Sequence, residues 1–194
     1  MLTENRVIVC KDYDEMSRRA ADVFADYIRE NPTGILGLAT GSSPEGIYSC
    51  LIEDNKAGKI DFCWAIHLGS GFRKGSEEDY AALFKKLGWM YDAGFRSFAV
   101  FFDDFGAADA EFHAEVGNRI LKEFIDKRKG CAPLIMCPNV YWGFGHPYQK
   151  TLGEKLDRRV HIMWTGRGIC SDITADAVKK ITEDFNRPPF IWWN

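Results

Sequence analysis

Short apolar runs and amphipathic stretches follow one another along almost the whole chain, and that alternation restricts the fold more than any other feature. Seven runs read as strands: RVIVC (6–10), GILGLA (34–39), DFCWAIHLG (61–69), the apolar part of RSFAVFFDDFG (96–106), APLIMC (132–137), RVHIMWTG (159–166) and PFIWWN (189–194). Helical stripes lie between most of them. One is Met16, Ala20, Val23, Phe24, Tyr27 and Ile28, which Asn31-Pro32 stops. Others are Tyr80, Leu83, Phe84, Leu87 and Tyr91 behind a Ser76/Asp79 capping box, and Val178, Ile181 and Phe185. A further helix, 107–129, carries Phe112, Val116, Ile120, Phe124 and Ile125 and ends at Gly130. Residues 138–150 read as a long aromatic loop. Such alternation predicts an α/β chain of repeated βα units with a parallel sheet and right-handed crossovers. The sheet is expected either as a partial or seven-stranded TIM-like (βα) barrel or as an open doubly wound sheet. An eight-stranded barrel usually takes about 250 residues, and this chain has 194. Both architectures collect functional groups at the carboxyl ends of the strands.

Composition excludes several partners. With 46% hydrophobic and 27% charged residues the chain is an ordinary globular sequence. Its formal net charge of −3 and the lack of a Lys/Arg cluster argue against nucleic acid. The most basic stretch, KEFIDKRKG (122–130), suits the last turn of a helix, where cations complement the dipole. No run approaches the roughly 18 apolar residues of a membrane span. The six cysteines (Cys10, Cys50, Cys63, Cys131, Cys137, Cys170) form no C-x-x-C pair and read as buried thiols of a reducing compartment. Met1 leads directly into a strand, so no signal peptide is expected and the chain is assigned to the cytoplasm.

The strand ends carry the chemistry. His67 with Gly69, Asp103 with Asp104, Asn139 with Tyr141, Trp164 with Thr165, and Trp192, Trp193 and Asn194 gather on one rim. Aromatic faces stack on pyranose rings, amides and acids bond hydroxyls, and paired carboxylates supply acid and base for glycoside cleavage. Each has a plainer reading. An acid just past a strand also serves as the N-cap of the next helix, and Trp64, Trp164 and Trp193 suit a core. His67 suits a satisfied structural histidine. Strand alternation would send Asp103 and Asp104 to opposite faces, so both meet one ligand only where the strand is irregular.

From about Asp61 to Asn194 the chain resembles the catalytic barrel of glycoside hydrolase family 84, the O-GlcNAcase and hyaluronidase-like β-N-acetylglucosaminidases. DFCWAIHLG, MYDAGFRSFAVFFDD, LIMCPNVY, TLGEKLDRRVHIMWTG, SDIT and RPPFIWWN carry the resemblance, in family order. It implies substrate-assisted, retaining hydrolysis of β-linked N-acetylglucosamine, with the substrate's acetamido oxygen as nucleophile and no cofactor or metal. By that resemblance Asp103 orients the acetamide N–H, and Asp104 protonates the leaving oxygen and then activates water. Tyr141 would bond the acetamide or oxazoline oxygen, while Trp192 and Asn194 line the sugar pocket. The family's first two barrel strands, with a glycine and a lysine that touch the sugar, are not found before Asp61. The rest of the loop after Asn194 and the last strand are not found either, and YWGFGHPYQ departs from the pattern after Tyr141. Weakened or absent activity is therefore part of the expectation.

Residues 1–62 resemble the amino terminus of glucosamine-6-phosphate deaminase through RVIVCKDYDEMSRRAADVFADYI, GLATGSSPEGIY and GKIDF. Thr40, Gly41, Ser42 and Ser43 lie between a strand and a helix start. That placement offers amides and hydroxyls to a sugar phosphate, although TGSSP also reads as an ordinary turn with Ser43 as N-cap and Pro44 as first helical residue. The deaminase family's later catalytic segments are not found. The organisation expected is a deaminase-like βαβα segment, 1–62, ahead of a partial family-84-like barrel, 63–194, the two forming one compact domain. The leading function is a glycoside hydrolase acting on an amino-sugar glycoside. The alternatives are a sugar-phosphate isomerase/deaminase-like binding protein and an inactive chimera.

Overall fold

The computed structural model describes residues 7–31, 41–69 and 71–192. The chain forms two compact units, divided after Asp61.

The first unit pairs α1 (Tyr13–Glu30) with α2 (Glu45–Lys56). Asp12 starts α1 by accepting the Glu15 N–H at 2.8 Å, and Asn31 caps its end. The buried stripe is Ser17, Ala21 and Ala25, flanked by half-buried Met16, Ala20, Phe24 and Ile28, while Val23 and Tyr27 are exposed. Small residues win the contact because the helices approach closely. A Cβ on Gly46 would lie 2.3 Å from Ser17 Oγ. Buried Asp54 pairs with Arg18 and with Lys59. Those two cations, Arg18 foremost, hold its carboxyl below the usual range. Two sequence expectations are corrected here. Residues 7–10 form no strand, and Val7 and Val9 lie exposed with no ladder to pair them among the described residues. The N-cap of α2 is Pro44 and not Ser43, with no side-chain cap bond. The expected strand 34–39 lies outside the described residues.

The second unit is a five-stranded parallel sheet: β1 (Cys63–His67), β2 (Ser97–Phe101), β3 (Ile135–Cys137), β4 (His161–Trp164) and β5 (Phe190–Ile191). Their spatial order follows chain order from β1 to β5. A doubly wound sheet reverses its order at a switch point, so sequential winding selects the barrel alternative, present as an open arc. Crossovers run through α3 (Glu77–Asp92), α4 (Ala110–Arg119) with its π-helical continuation Ile120–Ile125, α5 (Pro147–Lys155) and α6 (Ala175–Phe185). The expected helix 107–129 is thus shorter and changes pitch. The expected loop 138–150 gives way at Pro147 to α5, which His146 and Gln149 start with a reciprocal cap. Ser76 caps α3, but the Asp79 carboxylate turns to Arg73 instead of completing the box.

Residues alternate between two faces of the sheet. Phe98 meets Phe124 edge-on at 5.1 Å and Phe102 stacks on His113 at 4.0 Å, on the helix side. Phe101 looks the other way, 6.3 Å from Trp192. Trp164 is fully buried, as its core reading expects. α5 and α6 approach so closely that a Cβ on Gly153 would lie 2.3 Å from the Asp184 carbonyl. Buried Arg187 donates to the carbonyls of Gly153, Leu156, Asp157, Val160 and Phe185, satisfying loop and helix-end acceptors far from the carboxyl rim. Of the cysteines only Cys137 is buried, Cys63 and Cys170 are exposed, and none forms a disulfide. Among the described residues no helix is long and apolar enough to cross a membrane.

Candidate active site

Register aligns the strand ends. His67 pairs with Phe101, Phe101 with Cys137, and Trp164 with Ile191, so the residues that follow each strand share one rim. Beyond β2 the chain turns at once, the Phe105 N–H donating to the Phe102 carbonyl at 3.2 Å. Asp103 and Asp104 are the two central residues of that turn. Asp104 takes a left-handed conformation, φ 48°. This irregularity breaks strand alternation at the place where two consecutive acids need a common side. The cap reading of Asp104 is excluded, because the N-cap of α4 is Asp109, whose carboxylate accepts the Phe112 N–H at 2.9 Å.

Asp103 is half-buried and Asp104 exposed. One oxygen, Asp103 Oδ1, is buried with no hydrogen-bond partner among the described residues. Beneath the acids lies Cys137. Burial first, and the neighbouring charges of Asp103 and Asp104 next, push its thiol up to about 12, so it is an uncharged floor.

Tyr141 stands on the loop after β3. Burial raises its phenol, and the charges of Asp104 and Asp103 add to the effect, which places the ring within electrostatic reach of both acids. The ring lies 5.4 Å from Trp192, whose backbone is tied to Trp164 at 2.9 Å. The Tyr141 loop is stitched from below. Buried Gln149 donates to the carbonyls of Val140, Trp142 and Gly143, and Trp164 Nε1 donates to Gly143 at 2.7 Å. The Thr165 N–H donates to the Tyr141 carbonyl at 3.0 Å. Asp103, Asp104, Tyr141 and Trp192 are therefore brought together, while Asn194 lies outside the described residues. Gln149 escaped sequence reasoning because nothing local marks a glutamine that will face three carbonyls of a folded loop.

Gly41, Ser42 and Ser43 belong to the other unit and are exposed; Thr40 lies outside the described residues. The Tyr13 hydroxyl donates to the Ser42 and Ser43 carbonyls and accepts the Gly46 N–H at 2.9 Å. Among the described residues no group of three His, Cys, Asp or Glu side chains is arranged to hold a metal.

Adjacent acids thus stand on the carboxyl rim of a parallel βα sheet whose strands wind in chain order, with the Tyr141 phenol and the Trp192 indole on the same rim. A family model for beta-N-acetylglucosaminidase matches residues 47–194, and the chain belongs to that family. It is 30% identical over 161 residues to the protein O-GlcNAcase of Rattus norvegicus, across 74% of this chain and 17% of that protein. The solved structure of CpGH84B superposes on 96% of this chain and 37% of its own, with a TM-score of 0.74 and 29% identity. A separate similarity joins this chain to the glucosamine-6-phosphate deaminase of Clostridium beijerinckii, 51% identical over 57 residues, 29% of this chain and 24% of that one. The chain thus spans a quarter or less of these curated relatives.

Proposed function

We propose that this chain hydrolyses β-linked N-acetylglucosaminides with retention, using the substrate's own acetamido oxygen as nucleophile. The observation that carries the reading is the unpartnered, buried Asp103 Oδ1 on a turn shared with exposed Asp104. A buried acceptor left unpaired costs about 1–3 kcal/mol and is tolerated where a ligand supplies the donor. The acetamide N–H is such a donor. When Asp103 accepts it, electron density moves to the acetamide oxygen, which attacks C1. The bond from C1 to the leaving oxygen breaks, and Asp104 gives that oxygen its proton.

The resulting oxazoline is opened by water. Asp104, now a carboxylate, takes the water proton as the oxygen bonds C1 and the acetamide is restored. In this reading the Tyr141 phenol bonds the acetamide oxygen and the Trp192 indole, 5.4 Å from the Tyr141 ring, supplies an apolar wall. Because no enzyme carboxylate bonds C1, the usual separation of about 5–9 Å between two acids on either side of the bond is not needed. Adjacency suits this chemistry.

The test is release of the aryl group from an aryl β-N-acetylglucosaminide. Asp104→Asn is expected to lower turnover by about 10²–10⁴-fold while the circular dichroism spectrum is unchanged. No turnover by the unaltered chain ends the proposal.

A further inference from the structure

The backbone of the acid turn is gripped through its carbonyl oxygens. His67 Nε2 lies 3.0 Å from the Asp103 carbonyl oxygen, and the Gly69 N–H donates to His67 Nδ1 at 3.1 Å. Since Nδ1 accepts, the neutral ring carries its proton on Nε2 and donates it to Asp103. From the β3 side, Asn139 Nδ2 donates to the Phe102 carbonyl at 3.1 Å and to the Phe105 carbonyl at 3.2 Å. These are the residues on either side of the acid pair.

Asn139 is itself anchored. Its backbone N–H donates to the Tyr148 hydroxyl at 3.0 Å, and that hydroxyl lies 2.8 Å from Nδ1 of buried His113, the ring stacked on Phe102. A residue with a side chain at positive φ is held there only when its surroundings impose the conformation. Asp104 is such a residue.

We propose that Asn139 and His67 are positioning residues that hold Asp103 and Asp104 in their shared orientation by clamping the turn carbonyls. Neither touches the reacting atoms in this scheme. The catalytic consequence rests on the glycosidase reading, but the clamp has a readout of its own, so the two stand or fall separately.

Hydrogen exchange at the Phe105 amide, which donates to the Phe102 carbonyl across the turn, is compared in the full chain and in Asn139→Ala and His67→Phe, alongside steady-state kinetics on the aryl glycoside. Either variant should speed exchange at this amide by roughly tenfold, with amides inside β2 unchanged. In Asn139→Ala, kcat should fall by about 10²-fold, the scale of a misplaced catalytic group, with KM shifted less than about threefold. In His67→Phe the fall in kcat should be smaller, about tenfold. A merely structural role would lower melting temperature and active fraction without this local exchange or the split between kcat and KM. Unchanged exchange in a folded variant overturns the clamp, and faster exchange with unchanged kcat overturns its role in catalysis. Should Asn139→Ala not fold, His67→Phe decides alone, since His67 sits exposed at the strand end. Should the unaltered chain turn nothing over, the glycosidase reading fails and exchange alone judges the clamp.

Discussion

The acid turn after β2 and the Gly41–Ser43 loop before α2 both sit where a strand-like run hands over to a helix in the sequence, yet they spend their polar groups in opposite ways. In the acid turn the backbone is held through its carbonyls: that of Phe102 accepts from the Phe105 N–H and from Asn139 Nδ2, that of Asp103 from His67, and that of Phe105 from Asn139 Nδ2, while the Phe102 N–H donates to the Cys137 carbonyl. What is left unpaired is a side-chain oxygen, Asp103 Oδ1. In the Gly41–Ser43 loop Tyr13 consumes the groups a phosphate would need, because its hydroxyl occupies the Gly46 N–H at the start of α2. The acid turn thus presents an unpaired side-chain oxygen on a held backbone, whereas in the second loop the backbone N–H that a phosphate would meet is already taken.

The largest effect that tests this contrast is at Asp103. Asp103→Ala should cost about 10³-fold in turnover, as for loss of one preorganised polar contact. Its urea midpoint should hold or rise, because a buried unpaired oxygen is removed. A matching loss of stability would break the comparison.

Next in size is the support beneath the turn. Burial lowers the His113 pKa to about 4 from the ordinary 6.5, so the folded ring stays neutral where the unfolded ring is protonated. Folding stability should therefore decline as pH falls from 6.5 to about 4, and level out below. At about 1.4 kcal/mol per pH unit, the whole loss from this residue is about 3 kcal/mol. Urea melts of the unaltered chain and His113→Phe across that range check it: the difference between them should shrink by that amount toward pH 4.

The smallest effect lies in the first unit. Calorimetry with glucosamine 6-phosphate should give a dissociation constant no tighter than ~1 mM. Tyr13→Phe, which releases the Gly46 N–H, should strengthen it by a few-fold. Micromolar affinity in the unaltered chain would show that the loop is built for phosphate after all.

Much of the candidate site's placement was legible in the sequence. Asp103 and Asp104 end an unbroken apolar run, Tyr141 and Trp192 follow two more, and in-register parallel pairing makes strand ends neighbours. The α1 stripe was legible only approximately. Its large apolar residues mark the right side of the helix, but close approach at Gly46 hands the centre of the contact to Ser17, Ala21 and Ala25. α5 was missed because Pro147, Tyr148 and Gln149 read as loop residues until His146 caps them and Gln149 gathers the carbonyls above.

The sequence by itself determined the βα alternation, the strands of the second unit and the acids that close β2, since periodicity and strand ends are written within a few residues. Tertiary structure alone decided the sequential winding, the left-handed turn at Asp104, and the partners of its carbonyls. His67 and Asn139 stand 36 residues before Asp103 and 37 after Phe102. No local pattern links groups so far apart, because a carbonyl's hydrogen bond is settled only when parallel strands bring their ends into register.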